Sequence, residues 1–127
     1  MSIRVAFNTQ KSPPAPFVTV SVGDPVGGAI APDLPAQLDT AADRTVIPLA
    51  VTEALGLEPL DEMTVGGFGG GVYRVPIYLV SLAIRTFPPL VLRVLAHPGE
   101  PWILLGRDVL NGHRILFDGP NLVLEIT

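Results

Sequence analysis

Ala36-Gln37-Leu38-Asp39-Thr40-Ala41-Ala42-Asp43-Arg44-Thr45-Val46-Ile47 is the stretch on which the reading of this chain turns. A short apolar lead, Ala36 to Leu38, runs into an acid. Two small residues follow the Asp-Thr pair, and then the β-branched run Thr45-Val46-Ile47 predicts a strand. Asp39 is thus expected on a loop between two strands. Taken alone, an Asp-Thr pair in a turn is usually an Asx turn or a cap. The small residues Ala41 and Ala42 add something to that. They let the backbone approach another backbone, or a ligand, closely.

The flanking sequence is punctuated for short strands. It holds 13 glycines and 14 prolines, spread rather than clustered, which suits many turns between brief extended runs. Ile3 to Phe7 and Phe17 to Val22 read as strands, and Gly23 to Pro35 reads as turn-rich. Pro48 to Leu57 has helical spacing at Leu49, Val51, Ala54 and Leu55, with Pro48 suited to the first helical position and Gly56 to the stop. Glu62 to Val65 leads into Gly66-Gly67-Phe68-Gly69-Gly70-Gly71, and Val72 to Ile84 resumes a strand pattern. Two strands around a glycine-rich tip predict a mobile hairpin.

Leu90 to Leu95 is a further strand, and Ile103-Leu104-Leu105 ends at Gly106. Arg107 to Asn111 fits one or two helical turns. Arg114 to Phe117, the turn Asp118-Gly119-Pro120-Asn121, and Leu122 to Ile126 form a terminal hairpin. No internal repeat or linker is visible, so residues 1–127 are expected to make one domain. The fold class is all-β, a closed barrel-like domain with one or two short helices.

Composition narrows the function classes. The chain is 48% hydrophobic and only 16% charged, richer in apolar residues than an ordinary soluble monomer. A second copy of the chain covering part of that surface would account for the surplus. Net charge is −4 with no basic run, which argues against nucleic acid as a partner. With no cysteine, disulfides and thiolate metal sites are excluded. The segment Met1-Ser2-Ile3-Arg4-Val5 lacks the apolar core of a signal peptide, and runs such as Ile77-Tyr78-Leu79-Val80 are too short to cross a bilayer. A cytoplasmic protein with no membrane partner is the default expectation.

Competing chemistries find little support. His97 and His113 lie in turn-like segments without metal-ligand spacing, so no metal is expected. Ser2, Ser12, Ser21 and Ser81 sit in no nucleophile motif. No Lys-Ser/Thr follows the glycine run, which argues against a phosphate-binding loop. Trp102 reads as a core or interface aromatic.

Three features in order resemble the retropepsin-like aspartic peptidases. Leu38 to Ile47 resembles the family's active-site loop and the strand after it, the hairpin at Gly66 to Gly71 resembles its flap, and Ile103 to Leu110 resembles its second hydrophobic-hydrophobic-Gly motif (Leu104, Leu105, Gly106) and the following helix. The resemblance covers roughly Ala36 to Thr127. It implies the closed acid-protease barrel with Asp39 as the catalytic carboxylate. It also implies an extended polypeptide as substrate, with no metal and no organic cofactor.

The chain has one Asp-Thr motif of this kind, so the second carboxylate of such a site would come from Asp39 of another copy in a homodimer. The resemblance further implies that the Thr40 hydroxyl bonds across the two-fold axis, that Asp43 and Arg107 pair to tie the loop to the last helix, and that the chain ends join the dimer interface. The family has Gly where this chain has Ala41, whose added methyl bears on efficiency. A catalytically weak or inactive dimeric barrel that binds peptides is the alternative reading. A monomer in which Asp39 only caps a turn is the third.

Overall fold

The computed structural model describes residues 1–66 and 70–127. The chain orders its elements as β1 (Ile3–Ala6), β2 (Phe17–Gly23), β3 (Ile30–Leu38), β4 (Val46–Pro48), α1 (Leu49–Ala54), β5 (Asp61–Gly66), β6 (Val72–Ile84), β7 (Leu90–His97), β8 (Ile103–Leu105), α2 (Arg107–Leu110), β9 (Ile115–Asp118) and β10 (Val123–Ile126). One sheet runs β2-β3-β8-β4-β7-β6-β5. A further β2–β6 pairing, Val20 to Ile84 through Gly23 to Ser81, closes six of these strands into a barrel. Strand β5 stays outside the closure as the free arm of a hairpin. A smaller sheet, β1-β10-β9, joins the two ends of the chain.

Period-two patterning fills the barrel. On β2, Val18, Val20 and Val22 point inward and are at most 4% exposed. On β6, Tyr78, Val80, Leu82 and Ile84 do the same. Ile103 and Leu105 of β8 and Leu124 and Ile126 of β10 complete one apolar cluster that also takes in Val109 and Leu110 of α2. Each such aliphatic side chain contributes roughly 1.5–3 kcal/mol on full burial. The terminal sheet is thereby fastened to the barrel through its core, and the turn Asp118 to Asn121 is closed by side-chain bonds. The Asn121 side-chain amide (2.9 Å) and its backbone N–H (3.2 Å) both donate to Asp118. These bonds hold that carboxyl below its ordinary value.

Two elements differ from the sequence expectation. Strand β3 begins at Ile30, inside the stretch that reads as turns, and carries Pro32 and Pro35. Proline removes a ladder donor, but the first half of β3 is bordered by β2 alone, because β8 pairs only with Ala36 to Leu38. The irregular register opposite Val20 and Val22 absorbs Asp33, whose φ is +55°. Helix α1 is shorter than its apolar spacing suggests. Pro48 is extended and takes the N-cap place, one position ahead of the expected one, and Gly56 stops the helix with φ +66°. Among the described residues no helix is long and apolar enough to cross a membrane.

Candidate active site

Asp39 follows the last residue of β3, where the buried strand ends and the backbone must turn. Its N–H donates to the Leu105 carbonyl at 3.0 Å, which continues the parallel β3–β8 pairing by one step. The loop then folds on itself. The Ala41 N–H donates to Asp39 Oδ1 at 3.0 Å, and the Ala42 N–H donates to the Asp39 carbonyl at 3.2 Å. The first of these is an Asx-turn bond, the local role the sequence left open. It occupies one carboxylate oxygen. Among the described residues Oδ2 accepts no hydrogen bond, and Asp39 is half-buried rather than enclosed. A capping role and an available carboxylate therefore coexist. Ala41 is not among the non-glycine residues with positive φ, so its methyl causes no backbone strain within the chain.

What holds this loop in place is α2. The Arg107 N–H donates to the Ala42 carbonyl at 2.9 Å, and its guanidinium Nη1 donates to the Thr40 carbonyl at 2.8 Å. The expected Asp43–Arg107 pair is not formed. Ion pairs among the described residues are Arg4–Glu125 and Arg74–Glu62, and Asp43 faces solvent. Arg107 still ties the loop to α2, but through two loop carbonyls, one bonded by its backbone N–H and the other by its charged guanidinium, which strengthens that bond. The Thr40 side chain is exposed, and its hydroxyl makes no hydrogen bond among the described residues.

The strongest tie uses residues that sequence reasoning passed over. Thr45 is fully buried, its N–H donates to Asp108 Oδ2 at 3.0 Å, and its hydroxyl donates to Asp108 Oδ1 at 2.7 Å. That hydroxyl also accepts from the Gly106 N–H at 3.1 Å. One Thr–Asp pair thus locks the end of the Asp39 loop to the first turn of α2. The available signal was a Thr at the head of the β-branched run and an Asp in a helix's first turn, but the pairing spans 63 residues and no local pattern announces it. We expect Thr45→Val to cost about 2–3 kcal/mol, because valine keeps the volume but leaves the buried Gly106 N–H without an acceptor. Denaturant unfolding beside wild type measures this. An unchanged midpoint would mean the hydroxyl is dispensable.

The hairpin of β5 and β6 pairs from Asp61–Ile77 to Gly66–Val72. Its tip residues Gly67, Phe68 and Gly69 lie outside the described residues, while Gly70 has φ +78°. Beneath it is a cavity of about 260 Å³ lined by Val46, Val65, Val75, Leu95, Tyr73 and His97, among others. The His97 ring meets Tyr73 edge-on with centroids 6.1 Å apart, and its Nδ1 accepts from the Gly99 N–H at 2.9 Å. Val46 pairs with Leu104 of β8, so the cavity wall belongs to the strands that carry the Asp39 loop. Among the described residues no three His, Asp or Glu side chains are grouped to hold a metal ion.

The fold that holds this carboxylate, its stapled loop and the hairpin is found in known structures. The chain superposes on a retropepsin-like aspartic protease from Rickettsia conorii with a TM-score of 0.71 over 99% of this chain and 89% of that one, at 14% identity. This is a retropepsin-like barrel. The EIAV protease, solved with an inhibitor, matches at a TM-score of 0.60 and 25% identity, covering 85% of this chain and 93% of its own. The retroviral protease-like domain of Ddi1 from Leishmania major matches at a TM-score of 0.55 and 16% identity, over 88% and 87% of the two chains. No family model and no curated protein sequence matches the chain. The likeness is therefore carried by the fold.

Proposed function

We propose that this retropepsin-like chain is an aspartic endopeptidase that acts as a homodimer, with Asp39 of each copy forming one catalytic pair. The observation that carries this reading is the stapled loop. Five hydrogen bonds between the segment Asp39 to Thr45 and Leu105, Arg107 and Asp108 fix a carboxylate whose Oδ2 is free among the described residues. A cap needs no such support, whereas a reacting group must be held within a fraction of an ångström.

Two carboxyls brought together across a two-fold axis cannot both ionise easily, so the pair shares one proton. The ionised member takes a proton from water, and the resulting hydroxide adds to the scissile carbonyl. The protonated member donates to the carbonyl oxygen, and a proton then passes to the departing amine. In this reading Thr40, whose hydroxyl is unoccupied, bonds across the axis. The hairpin acts as a flap over an extended peptide, and its closure excludes water.

The test is cleavage of a peptide library from acidic to neutral pH, with sedimentation to give the oligomeric state. Hydrolysis by a dimer supports the proposal, and a stable monomer at every concentration rejects it. Binding without hydrolysis would favour the peptide-binding alternative, which the Ala41 methyl at the site motivates.

In this reading the terminal sheet forms the dimer surface. Its edge strand β9 carries Leu116 and Phe117, 54% and 42% exposed, beside an unpaired backbone edge. Edges of that kind favour pairing with another chain. The double variant Leu116→Lys/Phe117→Lys is expected to raise the dimer dissociation constant by at least about tenfold, since it places like charges on both copies and removes about 2 kcal/mol or more of apolar burial. An unchanged sedimentation profile would move the interface elsewhere.

A further inference from the structure

Along the strand that leads into Asp39 stands a cluster that the proposed hydrolysis does not use. Strand alternation turns Ala36 and Leu38 into the core, at 0% and 6% exposure, and so turns Gln37 to the side on which Asp39 follows. Gln37 Oε1 accepts from the indole Nε1 of Trp102 at 3.0 Å. Phe17 packs edge-on against the same indole with ring centroids 5.3 Å apart. Over the indole sits Lys11, its Nζ 3.7 Å from the ring centroid.

An ammonium held on a π face has a fixed position, and its outward N–H donors remain free for an anion. Lys11 as a residue is half-buried and its head lies over the ring, so the head is positioned rather than dangling. The ion pairs among the described residues are Arg4–Glu125 and Arg74–Glu62, and neither uses Lys11. A placed cation outside both of those ion pairs thus stands on Trp102, whose indole bonds Gln37, and from Gln37 to Asp39 is about 7 Å along the strand. That is the spacing over which an extended peptide presents successive side chains on one side.

We propose that Lys11, shelved on the Trp102 indole that Gln37 holds, is a specificity determinant that recognises an acidic side chain of the bound peptide close to the scissile bond. The inference rests on the reading of the Asp39 region as a peptide site. The substrate class is an extended polypeptide with Asp or Glu flanking the cleaved bond. Because a two-fold dimer brings one such cation per copy, the preference falls on both sides of that bond. A single cation fits one carboxylate and not the repeated charge of nucleic acid, whose binding depends on many phosphate contacts.

The test is binding to the Asp39→Asn protein, which separates recognition from cleavage. Octapeptides identical but for one Glu, Gln or Lys near the centre are titrated while the emission of Trp102, the one tryptophan in the chain, is followed. Glu peptides are expected to bind about fivefold more tightly than Gln peptides, the upper end for a pair that solvent reaches. Lys peptides bind more weakly than either, and Trp102 emission moves on saturation. Lys11→Met brings the Glu-to-Gln ratio to about one, and Lys11→Glu inverts it.

Equal affinities for Glu and Gln peptides, a ratio unmoved by Lys11→Glu, or no binding of any peptide each overturns the assignment. Acid preference in binding without hydrolysis by the Asp39 protein keeps the Lys11 assignment and removes the peptidase. Hydrolysis without acid preference does the reverse.

Discussion

Asp39→Asn is expected to lower peptide hydrolysis by at least about a thousandfold while leaving the fold and the dimer intact, the loss typical of removing an essential acid–base group. The structure makes this substitution a clean one. The carboxylate's bond is to the Ala41 N–H through Oδ1, and an Asn side-chain oxygen accepts the same bond. The tie from the Asp39 N–H to Leu105 is backbone and is untouched. Loss of activity at unchanged unfolding midpoint therefore reports chemistry, whereas retained activity would reduce Asp39 to its Asx-turn role. A mixing experiment separates shared from independent sites. When equal amounts of wild-type and Asp39→Asn chains exchange freely, a site built from both copies leaves about one quarter of the activity, because only dimers with two intact carboxylates work. Independent sites leave about one half. The second value would reject the dyad even if hydrolysis itself were confirmed.

The parts of the fold legible in the sequence are those with a local cause. Val18, Val20 and Val22 alternate because one side of β2 faces the barrel interior, and the same cause produces the run from Tyr78 to Ile84. The terminal hairpin was readable from its turn chemistry at Asp118 to Asn121. The first half of β3 was not. Pro32, Asp33 and Pro35 carry the composition of a turn, and only a tertiary fact, the lack of a second neighbouring strand there, lets them extend.

The site divides in the same way. The Asp39 loop and the Leu104-Leu105-Gly106 motif were visible as segments, and the structure joins them through the bond from the Asp39 N–H to Leu105. How the loop is tied to α2 was not visible. The resemblance implies an Asp43–Arg107 ion pair, but the guanidinium goes to a carbonyl, and a neutral hydroxyl at Thr45 meets the carboxylate of Asp108. Charge signs are legible in a sequence, whereas the direction in which a loop presents its carbonyls is not.

The second large effect is expected at Gly106. Its backbone is extended, with φ −85° and ψ −179°, a conformation open to any residue. The requirement for glycine is therefore one of space. A Cβ there would lie 2.5 Å from the Arg44 carbonyl carbon, 2.7 Å from its oxygen and 2.9 Å from the Thr45 nitrogen. All three are backbone atoms, so no rotamer change relieves the overlap. Nor can that backbone withdraw freely. The Thr45 N–H is held by Asp108, and the Thr45 carbonyl accepts from the Leu95 N–H at 3.1 Å.

Making room for one methyl means breaking the Thr45–Asp108–Gly106 lock, which couples overpacking to the loss of buried hydrogen bonds. Gly106→Ala should cost about 3 kcal/mol or more, with a fall in Tm of roughly 10 °C. Gly112→Ala is the control, because its added Cβ comes no nearer than 3.5 Å to the Val109 oxygen. It should stay within about 1 kcal/mol of wild type. Thermal and denaturant unfolding of the two variants side by side measures the difference. If both unfold with the same midpoint, the close approach of Gly106 to Arg44 does not constrain the loop. The tight seat of Asp39 would then have to come from the bonds to Leu105 and Arg107 alone.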